Sequence, residues 1–101
     1  QILALLKDLT KETGAALVLI THDLGVVARY ADRVAVMYGG RIVESADAGA
    51  LYAMPKHPYT QGLMVSIPHL DTQPGSLLEA IPGQPPDLAR LPDGCAFAPR
   101  C

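Results

Sequence analysis

The first twelve residues carry apolar side chains at helical spacing. An apolar residue stands at every third or fourth position: Ile2, Leu5, Leu6 and Leu9. This spacing lines one face of a helix and predicts an amphipathic helix over residues 1–12. Gly14 follows it and suits the left-handed backbone that commonly ends a helix.

The next pattern is an unbroken apolar run, residues 17–20, which is followed by three polar residues, 21–23. Such a run predicts a strand over residues 15–20 that is buried on both faces, as in a parallel sheet. A helical pattern over 24–31 follows, with Asp23 suited to cap it. In open α/β sheets the carboxyl end of a strand places ligand-handling residues, so His22 is the first candidate site residue.

Strand and helix patterns continue to about residue 67. Residues 34–38 predict a strand, Gly39-Gly40 a two-residue turn, and residues 41–44 the returning arm of a hairpin. A short helix is predicted over 47–54, and Pro58 is suited to start another that ends near residue 67. Helices mixed with strands predict the α/β class.

Beyond residue 67 the chain is rich in proline. Six of the nine prolines lie between residues 68 and 92. Each proline removes a backbone donor and disfavours a helix, so we place a domain boundary there, giving units 1–67 and 68–101. Because a helical pattern begins at Gln1 without a capping residue and a local cluster ends at Cys101, we expect the chain to be a fragment.

The composition argues against several classes of protein. The formal net charge is −2, from 8 basic and 10 acidic residues, without a basic run, which argues against nucleic-acid binding. No apolar run approaches the roughly 20 residues of a membrane span. The only cysteines, Cys95 and Cys101, argue against a disulfide scaffold. Their spacing is not that of a zinc knuckle, and by themselves they are more often free thiols.

Six stretches together resemble the ATPases of ATP-binding cassette (ABC) transporters, in the dipeptide/oligopeptide (and nickel) import branch. They occur in the order of that family and cover nearly the whole chain: residues 19–24 (LITHDL), 32–38 (DRVAVMY), 39–44 (GGRIVE), 57–60 (HPYT), 81–83 (IPG) and 94–101 (GCAFAPRC). The resemblance implies that residues 1–67 are the C-terminal portion of the ABC nucleotide-binding domain, with flanking helices, a Gly-Gly hairpin and the HPYT helix. Residues 68–101 would be the proline-rich C-terminal extension, truncated.

The resemblance also implies a role for His22, as the histidine that contacts the γ-phosphate of ATP and the attacking water. Phosphoryl transfer depends mainly on positioning and charge stabilisation, which an imidazole can supply. ATP and Mg²⁺ would be the cofactors of the whole subunit. Since the chain contains no G-x-x-x-x-G-K-[ST] phosphate-binding loop, we expect that the fragment alone neither binds nor hydrolyses ATP.

For the tail, the resemblance implies that Cys95 and Cys101 are candidate iron–sulfur ligands in the whole protein, where such clusters usually need four cysteines. The implied partners are a second nucleotide-binding subunit, the transmembrane permease subunits and, indirectly, an extracytoplasmic substrate-binding protein. The implied location is peripheral, at the cytoplasmic face of the cell membrane. The fragment itself could self-associate through an uncovered sheet.

Two other functions stay open at this point: a small regulatory or binding module, and a metal or iron–sulfur binding protein. We expect no ligand role for His57, in a turn before a proline, or for His69. One apolar group is read as a satellite core that pins the tail to the sheet, with an exposed partner-binding surface as the alternative. Its members are Tyr52, Met54, Tyr59, Leu63 and Met64.

Overall fold

The fold is α/β, and the computed structural model describes residues 2–66 and 81–101. Its elements are α1 (Ile2–Thr13), α2 (Leu24–Tyr30), β1 (Arg33–Tyr38), β2 (Arg41–Asp47), α3 (Ala48–Ala53), α4 (Pro58–Val65) and two 3₁₀ turns, Leu88–Arg90 and Ala98–Arg100. The predicted boundary after residue 67 and His69 lie outside the described residues. None of the helices in the described parts of the chain has the length and apolar character needed to cross a bilayer.

Helix α1 is the helix that the first pattern predicts. It ends at Thr13, and Gly14 follows with φ of +71°. The Lys7 ammonium donates to the backbone carbonyl of Tyr30 at 2.8 Å, which ties α1 to the end of α2. The four residues of its predicted apolar face, Ile2, Leu5, Leu6 and Leu9, are nevertheless exposed, because no described residues cover that face.

The predicted buried strand over residues 15–20 is wrong for this chain. These residues form neither helix nor strand, and their side chains are exposed, Val18 to 85% and Ile20 to 93%. A strand exists only when a neighbour accepts and donates its backbone hydrogen bonds. Among the described residues the sheet contains only β1 and β2, and neither pairs with this segment.

The sheet is an antiparallel hairpin of β1 and β2. Tyr38 lies opposite Arg41, with Gly39 and Gly40 between them at φ of +58° and +79°. Two consecutive positive φ values are what a two-residue type I′ turn requires. The register of the two strands shifts between Val36 and Met37, as at a β-bulge. On the far side of this shift the strands pair as far as Asp47.

Helices α3 and α4 follow β2 directly. Helix α3 buries Ala48 and Leu51, and the Ala48 amide donates to the backbone carbonyl of Asp32 at 2.9 Å. Pro58 occupies the first turn of α4, where its missing N–H costs nothing. Both helices therefore begin within one residue of the predicted starts, residue 47 for α3 and Pro58 for α4.

The core lies where the tail meets the hairpin. Tyr38, Ala96 and Phe97 are buried together, and Tyr59 packs against them. The rings meet edge to face, with centroids 5.1 Å apart for Tyr38 and Phe97 and 4.6 Å for Tyr38 and Tyr59. Tyr59 thus does pin the tail, as predicted. Met54 does not, because its side chain is 70% exposed.

Candidate functional site

His22 lies in the connection before α2, between two residues whose side chains fix the backbone. The Asp23 carboxylate accepts from the amides of Gly25 at 3.0 Å and Val26 at 3.2 Å, and so caps the helix. The Asp23 amide donates to the Thr21 hydroxyl oxygen at 3.0 Å. His22 itself is exposed, and no described residue hydrogen-bonds to its ring. The imidazole is therefore available to a ligand.

Tyr52 ties this connection to α3. Burial raises the pKa of Tyr52, and the nearby Asp23 carboxylate raises it further. The hydroxyl therefore stays protonated at neutral pH, and it donates to the backbone carbonyl of Leu24. Because Leu24 is the first residue of α2, this hydrogen bond holds the start of the helix, next to His22, against α3.

Glu44 organises a second set of polar groups, at the start of α4. Its carboxylate accepts from the amides of Lys56 and His57, each at 2.9 Å. Burial raises the pKa of Glu44, but these two N–H groups and the nearby Thr60 hydroxyl outweigh it, so the pKa is lowered. The Thr60 hydroxyl is buried and does not reach hydrogen-bond geometry with any described residue. Glu44 thus joins β2 to α4 as a carboxylate.

His57 has more contacts than its place in the sequence predicts. Its Nδ1 accepts from the Tyr59 amide at 3.0 Å, which caps α4. In the neutral ring the proton is therefore on Nε2, which lies 3.7 Å from the Cys95 sulfur. The expectation of no ligand role for His57 is not tested by this contact, which the sequence could not predict because the two residues are 38 positions apart.

The two cysteines do not form a metal site in the described parts of the chain. Both are free and exposed, and no three His, Cys, Asp or Glu side chains there are grouped to hold a metal. His57 does not add a ligand to Cys95, because its Nε2 carries the proton while Nδ1 is occupied. The chain thus contains two of the four thiolates that an iron–sulfur cluster usually needs, and their role as ligands in the whole protein stays a prediction.

Arg100 fastens the tail to the rest of the molecule. Its Nε donates to the Pro82 carbonyl at 3.1 Å and its Nη2 to the Ile81 carbonyl at 3.1 Å. Its Nη1 donates to the Tyr38 hydroxyl at 3.3 Å. Across the hairpin, Arg41 donates to the Gly94 carbonyl at 2.9 Å. Two of the Arg100 hydrogen bonds stay within the tail, whereas Arg100–Tyr38 and Arg41–Gly94 join the tail to the hairpin.

The site residues fall into two groups. His22 is exposed at the start of α2. The other group contains Glu44, His57, Cys95 and Arg100, which lie around the contact between the hairpin, α4 and the tail. Cys101 is exposed and joins neither group. The structure therefore does not bring His22 and the cysteines together in one described site.

Comparison with known proteins gives matches over the whole chain. The oligopeptide transport ATP-binding protein OppD of Mycobacterium tuberculosis is 56% identical over 101 residues. The OppD protein of Bacillus subtilis is 54% identical over 100 residues. The dipeptide transport ATP-binding protein DppD of the same organism is 52% identical over 101 residues. These alignments cover 99–100% of this chain but only 16%, 28% and 30% of the three relatives.

The part of the chain from β2 onwards also matches a protein family. Residues 43–101 match the family described as the oligopeptide/dipeptide transporter, C-terminal region. This match begins in β2 and includes α3, α4 and the docked tail, which is more than half of the chain. The resemblance noted from the HPYT, IPG and GCAFAPRC stretches is confirmed. The chain belongs to the oligopeptide/dipeptide transporter C-terminal region family.

Proposed function

We propose that this chain works as a C-terminal part of an ATP-hydrolysing subunit that powers import of oligopeptides or dipeptides through an ABC transporter. The observation that carries the proposal is the 51–56% identity, over the whole chain, to ATP-binding proteins of peptide transporters. The chain spans less than a third of those relatives, so the activity would belong to the larger subunit.

Within that subunit, His22 is the residue that we assign to the γ-phosphate of ATP. Its exposed ring, on a connection fixed by Thr21 and Asp23, supports the assignment. An imidazole N–H directed at a γ-phosphate oxygen stabilises charge that develops in phosphoryl transfer, and the other nitrogen can orient the attacking water. The rigid cap at Asp23 restricts the ring position without occupying either of its nitrogens.

ATP and Mg²⁺ are the cofactors that this role requires, and Mg²⁺ would neutralise phosphate charge when bound. His22 is the one residue of this chain that we assign to them. The chain has no phosphate-binding loop, so the phosphate cradle must come from other parts of the subunit. For an iron–sulfur cluster the chain would supply Cys95 and Cys101, and other parts of the subunit would have to supply the remaining thiolates.

The exposed apolar surface supports a role inside a larger protein. The apolar face of α1 and residues 17–20 are uncovered next to one another in the chain. A segment with this composition normally lies inside a sheet, and packing against further strands would supply its missing backbone partners. We propose that other parts of the ATP-binding subunit cover this surface, and that the subunit acts peripherally at the cytoplasmic face with a second nucleotide-binding subunit and permease subunits.

A chimera tests the proposal directly. This chain would replace the matching 100 residues of the Bacillus subtilis OppD protein, and uptake of a labelled tripeptide would be measured in cells that lack the native protein. We expect the chimera to restore uptake and its His22→Ala variant to fail. Asp23→Asn, which keeps a capping side chain, is the matched control and should restore uptake. Uptake that is restored equally by the His22→Ala chimera would contradict the role of His22.

The isolated chain provides a separate test. We expect no ATP binding to the 101-residue chain in a calorimetric titration, because the phosphate cradle is missing. ATP binding at micromolar concentration would require a phosphate site that this account does not contain. The titration distinguishes a part of an ATPase from a small regulatory module that binds nucleotide by itself.

A further inference from the structure

A cavity of about 320 Å³ lies between the end of β1 and the proline-rich part of the tail, residues 83–92. Its walls are mainly apolar and rigid: Pro85, Pro86, Leu91, Pro92, Ala96 and Pro99. This volume is at the lower end of the range of small-molecule sites, which are typically apolar clefts with a few placed polar groups. The polar side chains that line this cavity are those of Tyr38, Gln84, Asp87, Arg90 and Arg100.

Neither arginine of the cavity has an acidic partner in the part of the chain that the structure describes. Arg100 is half-buried and Arg90 is exposed at the rim, and neither forms a salt bridge within the described residues. Asp87 also lines the cavity, but its carboxylate accepts from the Ala89 amide and caps the 3₁₀ turn. A bound anion would supply the counter-charge that neither guanidinium finds among the described residues.

The hydrogen bonds of Arg100 leave part of its fork free. A guanidinium has five N–H donors, and three of them are used, on the carbonyls of Pro82 and Ile81 and on the Tyr38 hydroxyl. Each terminal nitrogen therefore retains one N–H without an acceptor among the described residues. A planar carboxylate is the group that accepts two such N–H donors together.

We propose that this cavity binds a small organic carboxylate, with its apolar group against the proline walls and its carboxylate on Arg100, while Arg90 attracts the anion at the rim. The chemistry favours a short aliphatic carboxylate over an inorganic anion, because most of the wall is apolar. The site is formed by the hairpin and the tail. It does not involve His22, so it stands or falls independently of the proposed function.

The test is a nuclear magnetic resonance titration of the ¹⁵N-labelled 101-residue chain. The probe is N-acetyl-leucine, with its amide, acetate and inorganic phosphate compared at equal ionic strength. We expect N-acetyl-leucine to shift the amide signals of Leu91 and Ala96 and the Arg100 Nε–H signal, saturably. N-acetyl-leucinamide should bind at least about tenfold more weakly than N-acetyl-leucine, because it lacks the charge that the two arginines recognise.

Substitutions assign the binding to the cavity. Arg90→Gln removes an exposed charge without touching the core and should weaken binding several-fold. Arg29→Gln, an exposed arginine on α2, is the matched control and should leave it unchanged. Arg100→Lys keeps the charge but loses the planar fork, and should abolish binding.

Three outcomes would overturn the proposal. The first is the absence of saturable shifts at millimolar N-acetyl-leucine. The second is equal binding of the carboxylate and its amide, or of the wild type and Arg90→Gln. The third is binding of inorganic phosphate or acetate as tight as that of N-acetyl-leucine, which would leave the apolar walls without a function.

Discussion

Replacing Phe97 by alanine should release the tail from the hairpin. The Phe97 ring is 3% exposed and lies with its centroid 5.1 Å from that of Tyr38 and 5.3 Å from that of Tyr59. Truncating a buried phenylalanine to alanine typically costs about 3–5 kcal/mol in the free energy of unfolding. Of this, each aromatic pair contributes about 0.5–1.5 kcal/mol, so Phe97→Leu, which keeps apolar volume, should lose only about 1–3 kcal/mol.

Hydrogen exchange of the tail measures this effect locally. The Ala98 amide donates to the Cys95 carbonyl and the Arg100 amide to the Phe97 carbonyl, so both amides are protected when the tail is docked. A loss of 3 kcal/mol or more should reduce the exchange protection factors of these two amides by about a hundredfold. Leu88→Ala, at a side chain that is 69% exposed, is the control and should change little. Unchanged protection in Phe97→Ala would refute the aromatic contact as the force that holds the tail.

Three further predictions concern single residues. Glu44 has a lowered pKa, so its contribution to stability is present above the unfolded pKa near 4.5 and is lost as the pH falls through the lower folded value. As the pH falls, the free energy of unfolding measured in urea should therefore decrease less steeply in Glu44→Gln than in the wild type. The exposed-residue control Glu12→Gln should behave like the wild type. Asp23→Ala should cost about 1 kcal/mol in urea unfolding, because the α2 cap is lost, and Asp23→Asn should restore most of it; equal stability of the three forms would contradict the cap. Gly39→Ala should lower the melting temperature, since φ is +58° and the new methyl would lie 3.1 Å from a leucine of the tail, whereas Gly49→Ala, in open space on α3, should not.

Local elements could be predicted from the sequence because their causes are local. Helix α1 follows from apolar spacing, α2 from the Asp23 cap and α4 from Pro58 at its first position. The turn at residues 39–40 follows equally from two adjacent glycines, which adopt positive φ without strain. In each case the residues that decide the structure lie within a few positions of it.

The strand predicted over residues 15–20 fails for the opposite reason. Its apolar composition is typical of a strand that is buried between neighbouring strands. Among the described residues no strand lies next to this segment, and its side chains are exposed. The contacts of Arg100 and His57 could not be predicted either, because their partners are distant in sequence: Tyr38 lies 62 positions from Arg100, and Cys95 lies 38 from His57. The position of His22 after the apolar run predicts a site residue from local sequence alone, and its role stays a prediction.

The most direct measurement for the central claim is the ATP hydrolysis rate of the purified chimeric OppD subunit, assembled with its transporter partners, with and without His22. The account predicts that His22→Ala lowers kcat by about a hundredfold or more, as when one transition-state donor is removed, while ATP binding changes only slightly. Hydrolysis at the unsubstituted rate in the His22→Ala subunit would contradict the assignment of this imidazole to the γ-phosphate.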